Sequence, residues 1–128
     1  MLLVEDQDSV REFTFTLLEG FGYRVLQASN GPDAIAIAEQ HPGTVHLLIT
    51  DIVLPVMDGR VLAEKLKSVH PEIKILYISG YSHEKLGHDK TADDLSLLQK
   101  PFTAEALATR VRRILSGDDR QRRAAPEK

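Results

Sequence analysis

At 128 residues, with 42% apolar and 27% charged residues, the chain has the size and balance of one globular domain that buries a single core without staples. A formal net charge of -3 is too small to steer it toward nucleic acid or a membrane, and the absence of cysteine excludes a disulfide framework, a thiolate metal site and a thiol nucleophile. The opening "MLLVEDQD" turns acidic after four apolar residues, too soon for a signal peptide or a spanning helix, so the expected compartment is the reducing cytoplasm.

A first strand is predicted at Leu2 to Val4. Val10, Phe13, Leu17 and Leu18 then repeat at helical spacing, and Ser9 with Glu12 matches a capping box. Tyr23 to Gln27 reads as a second strand. Pro32 suits a first helical turn after Asn30 and Gly31, with Ala34, Ile35, Ile37 and Ala38 as the apolar face. The third strand, Leu47 to Thr50, runs straight into the carboxylate of Asp51. Leu62, Leu66 and Val69 form the next helical stripe, ended by His70 and Pro71. Lys74 to Ile78 and Leu95 to Gln99 complete the strands, and Thr103 can cap a last helix whose inner face is Leu107, Val111 and Ile114.

Two stretches are thin. Ser82 to Asp94 offers only Leu86 and Ala92 as apolar residues, so a helix there is expected to be short or loosely docked. The charged end "SGDDRQRRAAPEK" lacks periodicity, which predicts a folded domain over 1–116 and a disordered tail over 117–128.

Strands alternating with helices of this length indicate βαβ units and a parallel sheet covered on both faces. Right-handed crossovers leave few topologies. The expected fold is an α/β, flavodoxin-like, doubly wound five-stranded sheet of order 2-1-3-4-5, with its crevice at the carboxyl ends of strands 1 and 3.

Chemistry should therefore collect where strands end. Strand 1 ends at Glu5 and Asp6, strand 3 at Asp51, strand 4 at Ser79 and Gly80, and strand 5 at Lys100 and Pro101. A single acid after a strand is ordinarily a helix cap or a solvated turn. Three carboxylates, a hydroxyl and an ammonium along one edge are harder to explain by caps. Carboxylates from separate strands repel one another, and an all-oxygen site of this kind suits Mg²⁺. Ser79 and Lys100 are surplus to a metal site but fit an anionic phosphoryl group lying beside it. Asp51 is then the natural nucleophile, since a carboxylate can be phosphorylated to an aspartyl phosphate.

The segments "VED" at 4–6, "DIVLPVMDG" at 51–59, "YISGYS" at 77–82 and "LQKPF" at 98–102 resemble the response-regulator receiver domain of two-component signalling, in order and spacing over about residues 2–116. The resemblance implies that Asp51 accepts a phosphoryl group from a histidine kinase or a histidine phosphotransfer protein. Asp6, Asp51 and the main-chain carbonyl of Val53 would hold Mg²⁺, with Glu5 acting mostly through water. Ser79 and Lys100 would bind phosphoryl oxygens. Pro101, after a cis peptide, would fix the turn that aims Lys100 inward, and Gly80 would leave room for the phosphoryl group. The wording around Gly80 and Pro101, together with "NGPDA", is most similar to receivers of hybrid sensor histidine kinases. The start inside strand 1 points to a domain from a longer protein, with a free-standing receiver as the alternative.

Three positions, Leu97, Val53 and Tyr81, set the chain apart from the family pattern. Leu97 stands three residues before the lysine, where receivers often carry a Tyr or Phe that swings inward. Plain core packing is expected of Leu97, and with it a monomer that passes phosphoryl groups on. Val53 and Tyr81 occupy the positions that tune hydrolysis, and neither readily orients a water, so slow self-dephosphorylation is expected.

The remaining candidates favour bland readings. His41, His46, His70, His83 and His88 lack metal-ligand spacing and are expected at the surface. Arg110, Arg112, Arg113, Arg120, Arg122 and Arg123 read as a solvated helix face and tail rather than nucleic-acid contacts. Phe13, Phe15, Phe21 and Phe102 read as core or groove residues. Two other functional classes are open: a phosphatase-type hydrolase with an aspartyl-phosphate intermediate, and a non-phosphorylated binding module of receiver-like fold. A hydrolase normally wants a second acid two residues past its nucleophile, where Val53 stands. A bare binding module would be favoured by loss of the acids or the lysine, and all are present.

Overall fold

In the computed structural model, which describes residues 1–80 and 96–116, five parallel strands form one sheet of order β2-β1-β3-β4-β5. They are β1 (Leu2–Val4), β2 (Leu26–Ala28), β3 (Leu47–Asp51), β4 (Lys74–Ser79) and β5 (Leu97–Gln99). Four helices accompany them among the described residues: α1 (Asp8–Gly20), α2 (Gly31–Gln40), α3 (Gly59–Val69) and α4 (Ala104–Leu115). Their order is the one expected for a flavodoxin-like sheet with right-handed crossovers. The segment 82–94, with its thin helical pattern, and the tail from 117 lie outside the described residues.

The strand residues sort to two faces by the period of the pleat. Leu2, Val4 and Leu48 pack with Ala34 and Ala38 of α2 and Leu62 and Leu66 of α3. Leu3, Leu47, Ile49, Leu76 and Ile78 pack on the other side with Leu18 of α1 and Leu107 and Val111 of α4. The central strand is thus apolar on both faces, which is why β3 reads as a continuous run instead of an alternation. No helix among the described residues is long and apolar enough to cross a membrane.

Several local expectations need correction. The Ser9–Glu12 capping box does not form: α1 starts at Asp8, and its N-cap, Gln7, makes no side-chain cap. Phe13 does not face the core; it is 54% exposed, whereas Thr14 is buried with its hydroxyl donating to the Val10 carbonyl at 2.8 Å. A threonine that satisfies itself on its own helix can enter an apolar interface, so a scan for apolar residues alone rotates the inner face wrongly. Phe21 is likewise exposed, while Phe15 and Phe102 pack against the core. Strand 2 begins later than its apolar pattern, at Leu26, although Tyr23 and Val25 still cover the sheet. Val69 is exposed at the end of α3. Arg110 is not part of a solvated face, since its guanidinium donates to the Leu97 carbonyl and ties α4 to β5. His70 has its Nε2 3.2 Å from the Ala38 carbonyl, linking the ends of α2 and α3.

Thr103 caps α4 as read, accepting from the Ala106 N–H at 3.0 Å, and Asn30 caps α2 by accepting from the Asp33 N–H at 2.8 Å. Gly22, with φ +101°, makes the left-handed turn that ends α1.

Candidate functional site

Four strand ends meet at the carboxyl edge of the sheet because their registers align. Val4 pairs with Thr50, Asp51 with Ile78, and Ser79 with Gln99. The Ile52 N–H donates to the Ile78 carbonyl at 3.1 Å and the Lys100 N–H to the Ser79 carbonyl at 2.7 Å, extending the ladder past the last strand residues. Glu5 and Asp51 stand two residues beyond Leu3 and Ile49, which share one face of the sheet. The alternation therefore brings both carboxylates to the same side of two neighbouring strands.

The loop after Asp51 is shaped to hold this edge. Asp58 caps α3 by accepting from the Arg60 N–H at 2.7 Å, and the Gly59 N–H donates to the Ile52 carbonyl, also at 2.7 Å. A Cβ on Gly59 would overlap the main-chain oxygen of Asp51, so the Asp-Gly pair lets α3 begin directly against the strand end. At Gly80, by contrast, a Cβ would meet nothing within 4 Å among the described residues.

Among the described residues, the side chains of Glu5, Asp6 and Asp51 form one acidic cluster, each offering an oxygen within 4.8 Å of the others. Glu5 and Asp51 are buried and Asp6 is exposed. The Lys100 ammonium reaches into the cluster, 3.2 Å from Glu5 Oε1 and 3.3 Å from Asp51 Oδ1. Ser79 is buried on the same cleft, its hydroxyl donating to the Gly80 carbonyl at 3.2 Å. The cleft holds about 340 Å³ and is also lined by Val53, whose side chain is largely exposed. The Lys100–Pro101 peptide is cis, and Leu97 is buried in the sheet as a core residue.

This arrangement perturbs its own acids. Burial, and then the neighbouring Glu5 carboxylate, push Asp51 up to about 7, only partly offset by Lys100. Burial works against the Lys100 ammonium, but Asp51 and Glu5 outweigh it and hold the group above its ordinary value. Asp51 Oδ1 is buried and has no hydrogen-bond partner among the described residues. A buried carboxylate oxygen without a hydrogen bond is costly, and the ion pair with Lys100 at 3.3 Å offsets only part of that cost. An all-oxygen donor set of Glu5, Asp6 and Asp51 opening on the cleft fits a hard divalent cation such as Mg²⁺.

Two residues of this edge were not legible as functional. The Gln7 N–H donates to Glu5 Oε2 at 3.0 Å, and Arg11 donates to the main-chain carbonyl of Glu5 at 2.8 Å. The available signal was spacing: Arg11 lies within the first turns of the helix that follows the acid pair. Glu5, expected to act mostly through water, is here hydrogen-bonded to both Gln7 and Lys100.

Residues 1–112 match the family described as the response regulator receiver domain. The chain is 38% identical over 120 residues to the sensor kinase CckA of Brucella abortus, covering 93% of this chain but 13% of that protein. It is 36% identical over 116 residues to the response regulator receiver protein CpdR of the same organism, covering 90% of this chain and 95% of CpdR. Its fold superimposes on the crystal structure of the receiver domain of the hybrid histidine kinase CckA with a TM-score of 0.70 at 34% identity, covering 89% and 96% of the two chains. With sheet order, acidic edge and sequence agreeing over nearly the whole chain, it belongs to the response regulator receiver family, a signalling domain of two-component systems and not a classical enzyme.

Proposed function

We propose that this receiver accepts a phosphoryl group on Asp51 from the phosphohistidine of a histidine kinase or histidine phosphotransfer protein, with Mg²⁺ as its cofactor. The observation that carries the reading is the state of Asp51. It is a buried carboxylate at a strand end, ion-paired at 3.3 Å with an ammonium through an oxygen that makes no hydrogen bond among the described residues, and beside two further acids. Such an oxygen can attack phosphorus in line. A P–O bond forms to Asp51 as the P–N bond to the donor imidazole breaks, and the leaving nitrogen keeps the electron pair.

Asp6, Asp51 and the Val53 carbonyl would hold the cation, with Glu5 beside them. When bound, it would neutralise phosphoryl charge that the acids alone would repel. Lys100 would supply a fixed positive charge to the transferred oxygens, and Ser79 a hydroxyl to another. The folded unit in this reading is 1–116. Relatives include both a hybrid kinase receiver and a receiver protein of similar length, so either setting suits the chain. The buried aliphatic Leu97 supports a monomer that relays phosphoryl groups without an aromatic switch.

The test is incubation with Mg²⁺ and a small phosphodonor, read by intact mass. A stable added phosphoryl mass that vanishes in Asp51→Asn is expected. Turnover of phosphomonoesters would favour a hydrolase, and no adduct under any donor would favour a binding module.

A further inference from the structure

The main-chain carbonyl of Glu5 lies just beyond the last ladder pair of β1, where Val4 pairs with Ala28 and Thr50. The Glu5 N–H still reaches the Ala28 carbonyl at 3.2 Å, but no main-chain N–H among the described residues donates to the Glu5 oxygen. Arg11 takes it. One guanidinium nitrogen donates to that oxygen at 2.8 Å, while the other donates to Asp8 Oδ1 at 2.8 Å. The Arg11 main-chain N–H donates to the Gln7 carbonyl at 2.9 Å. The last of these is the ordinary first bond of the helix, so what the arginine side chain adds is a tie from the helix back to the Glu5 carbonyl, just before Asp6, whose own carboxylate is exposed and held by no hydrogen bond among the described residues. The Arg11 side chain is itself only 17% exposed, so its fork is fixed by its surroundings and by Asp8.

We propose that Arg11 is a positioning residue for the acid pair, clamping the turn Glu5–Gln7 from the first turns of α1 so that the two carboxylates keep the spacing a small divalent cation requires. This rests on the reading of the Asp51 edge as a Mg²⁺-dependent phosphoacceptor. Mg²⁺ demands near-ideal octahedral geometry at short distances and tolerates little drift of its ligands. Residues that orient metal ligands without touching the metal typically change its affinity by about 10- to 100-fold when removed. Simple electrostatics acts with the opposite sign, because removing a cation near the site should make Mg²⁺ bind more tightly. The two accounts of Arg11 are thus separable by direction.

The experiment titrates Mg²⁺ alone into wild type, Arg11→Ala and Arg11→Lys, following the amide NMR shifts of Asp6 and Gln7, with melting temperatures measured in metal-free buffer. Arg11→Ala should weaken Mg²⁺ binding about tenfold. Arg11→Lys keeps the charge but lacks the two-pronged fork, so it should fall between the two. That variant carries the test if the alanine variant does not fold. Wild type binding Mg²⁺ while both variants bind equally or more tightly would overturn the positioning role, even with a lowered melting temperature, and leave the phosphoacceptor reading standing. Wild type failing to bind Mg²⁺ at all would overturn both.

Discussion

The Lys100 ammonium lies almost equally far from Glu5 Oε1 and Asp51 Oδ1, at 3.2 and 3.3 Å, so the two buried carboxylates share one counter-ion. Glu5 thus acts on Asp51 twice, as a like charge beside it and as a competitor for its counter-ion. Glu5→Gln removes the first effect and weakens the second. The Asp51 titration midpoint in metal-free protein should then fall below about 7. Lys100→Met should move it the other way and slow phosphorylation by roughly 10²- to 10³-fold, the usual effect of losing one group that stabilises the transition state. Carboxyl ¹³C NMR reads both midpoints, and an unmoved midpoint in Glu5→Gln would show that burial alone raises it.

The same shift sets a pH dependence of stability. Asp51 binds its proton more tightly folded, at about 7, than at its ordinary value of 3.8. Its contribution is complete below that ordinary value and is lost as pH rises through 7, because the folded state must then bury a charge. Metal-free wild type should lose stability between pH 5 and 8 relative to Asp51→Asn, by an amount on the order of 1–3 kcal/mol. Saturating Mg²⁺ should restore much of it in wild type and little in the variant. Thermal melts at several pH values, with and without chelator, check the sign.

Much of this was readable before any coordinates, for a physical reason. Buried parallel strands are continuous apolar runs with little tolerance for charge, so residues such as Asp51 and Lys100 that interrupt them mark strand ends clearly. The alternation of elements then places those ends on one edge. What escaped was whatever depends on main-chain hydrogen bonding. Thr14 passes for a polar surface residue until its hydroxyl is seen bonded to Val10, and Arg11 for a solvated charge until its acceptor is seen to be a carbonyl of Glu5. The start of β2 is hidden in the same way, since Tyr23 and Val25 pack against the core without pairing in the sheet.

Gly59 offers a test of how the strand end is held. Its missing Cβ admits the Asp51 carbonyl, and the obstructing atoms are main chain, which cannot rotate away. Gly59→Ala should therefore push α3 off the end of β3 instead of repacking locally. A loss of about 2 kcal/mol or more by denaturant titration is expected, against well under 1 kcal/mol for Gly20→Ala, where a Cβ meets nothing within 4 Å. Equal effects at the two positions would show that the close approach is relaxed at little cost.

The lifetime of the phosphorylated state should depend on Val53. Its side chain is 73% exposed at the rim of the cleft, two residues past Asp51, and offers a nucleophilic water neither a donor nor an acceptor. Hydrolysis of an aspartyl phosphate needs a water held in line, so an apolar rim should leave that water unoriented and make an adduct on Asp51 long-lived. Val53→Asn supplies an amide at the same place and should speed dephosphorylation, by about tenfold or more when combined with Tyr81→Glu. Because Val53 is exposed, the change should leave the melting temperature nearly unmoved, which separates chemistry from folding. Decay of the phosphorylated mass after removal of the donor gives the rate, and an unchanged rate in the double variant would mean that access to the cleft, not water orientation, limits hydrolysis.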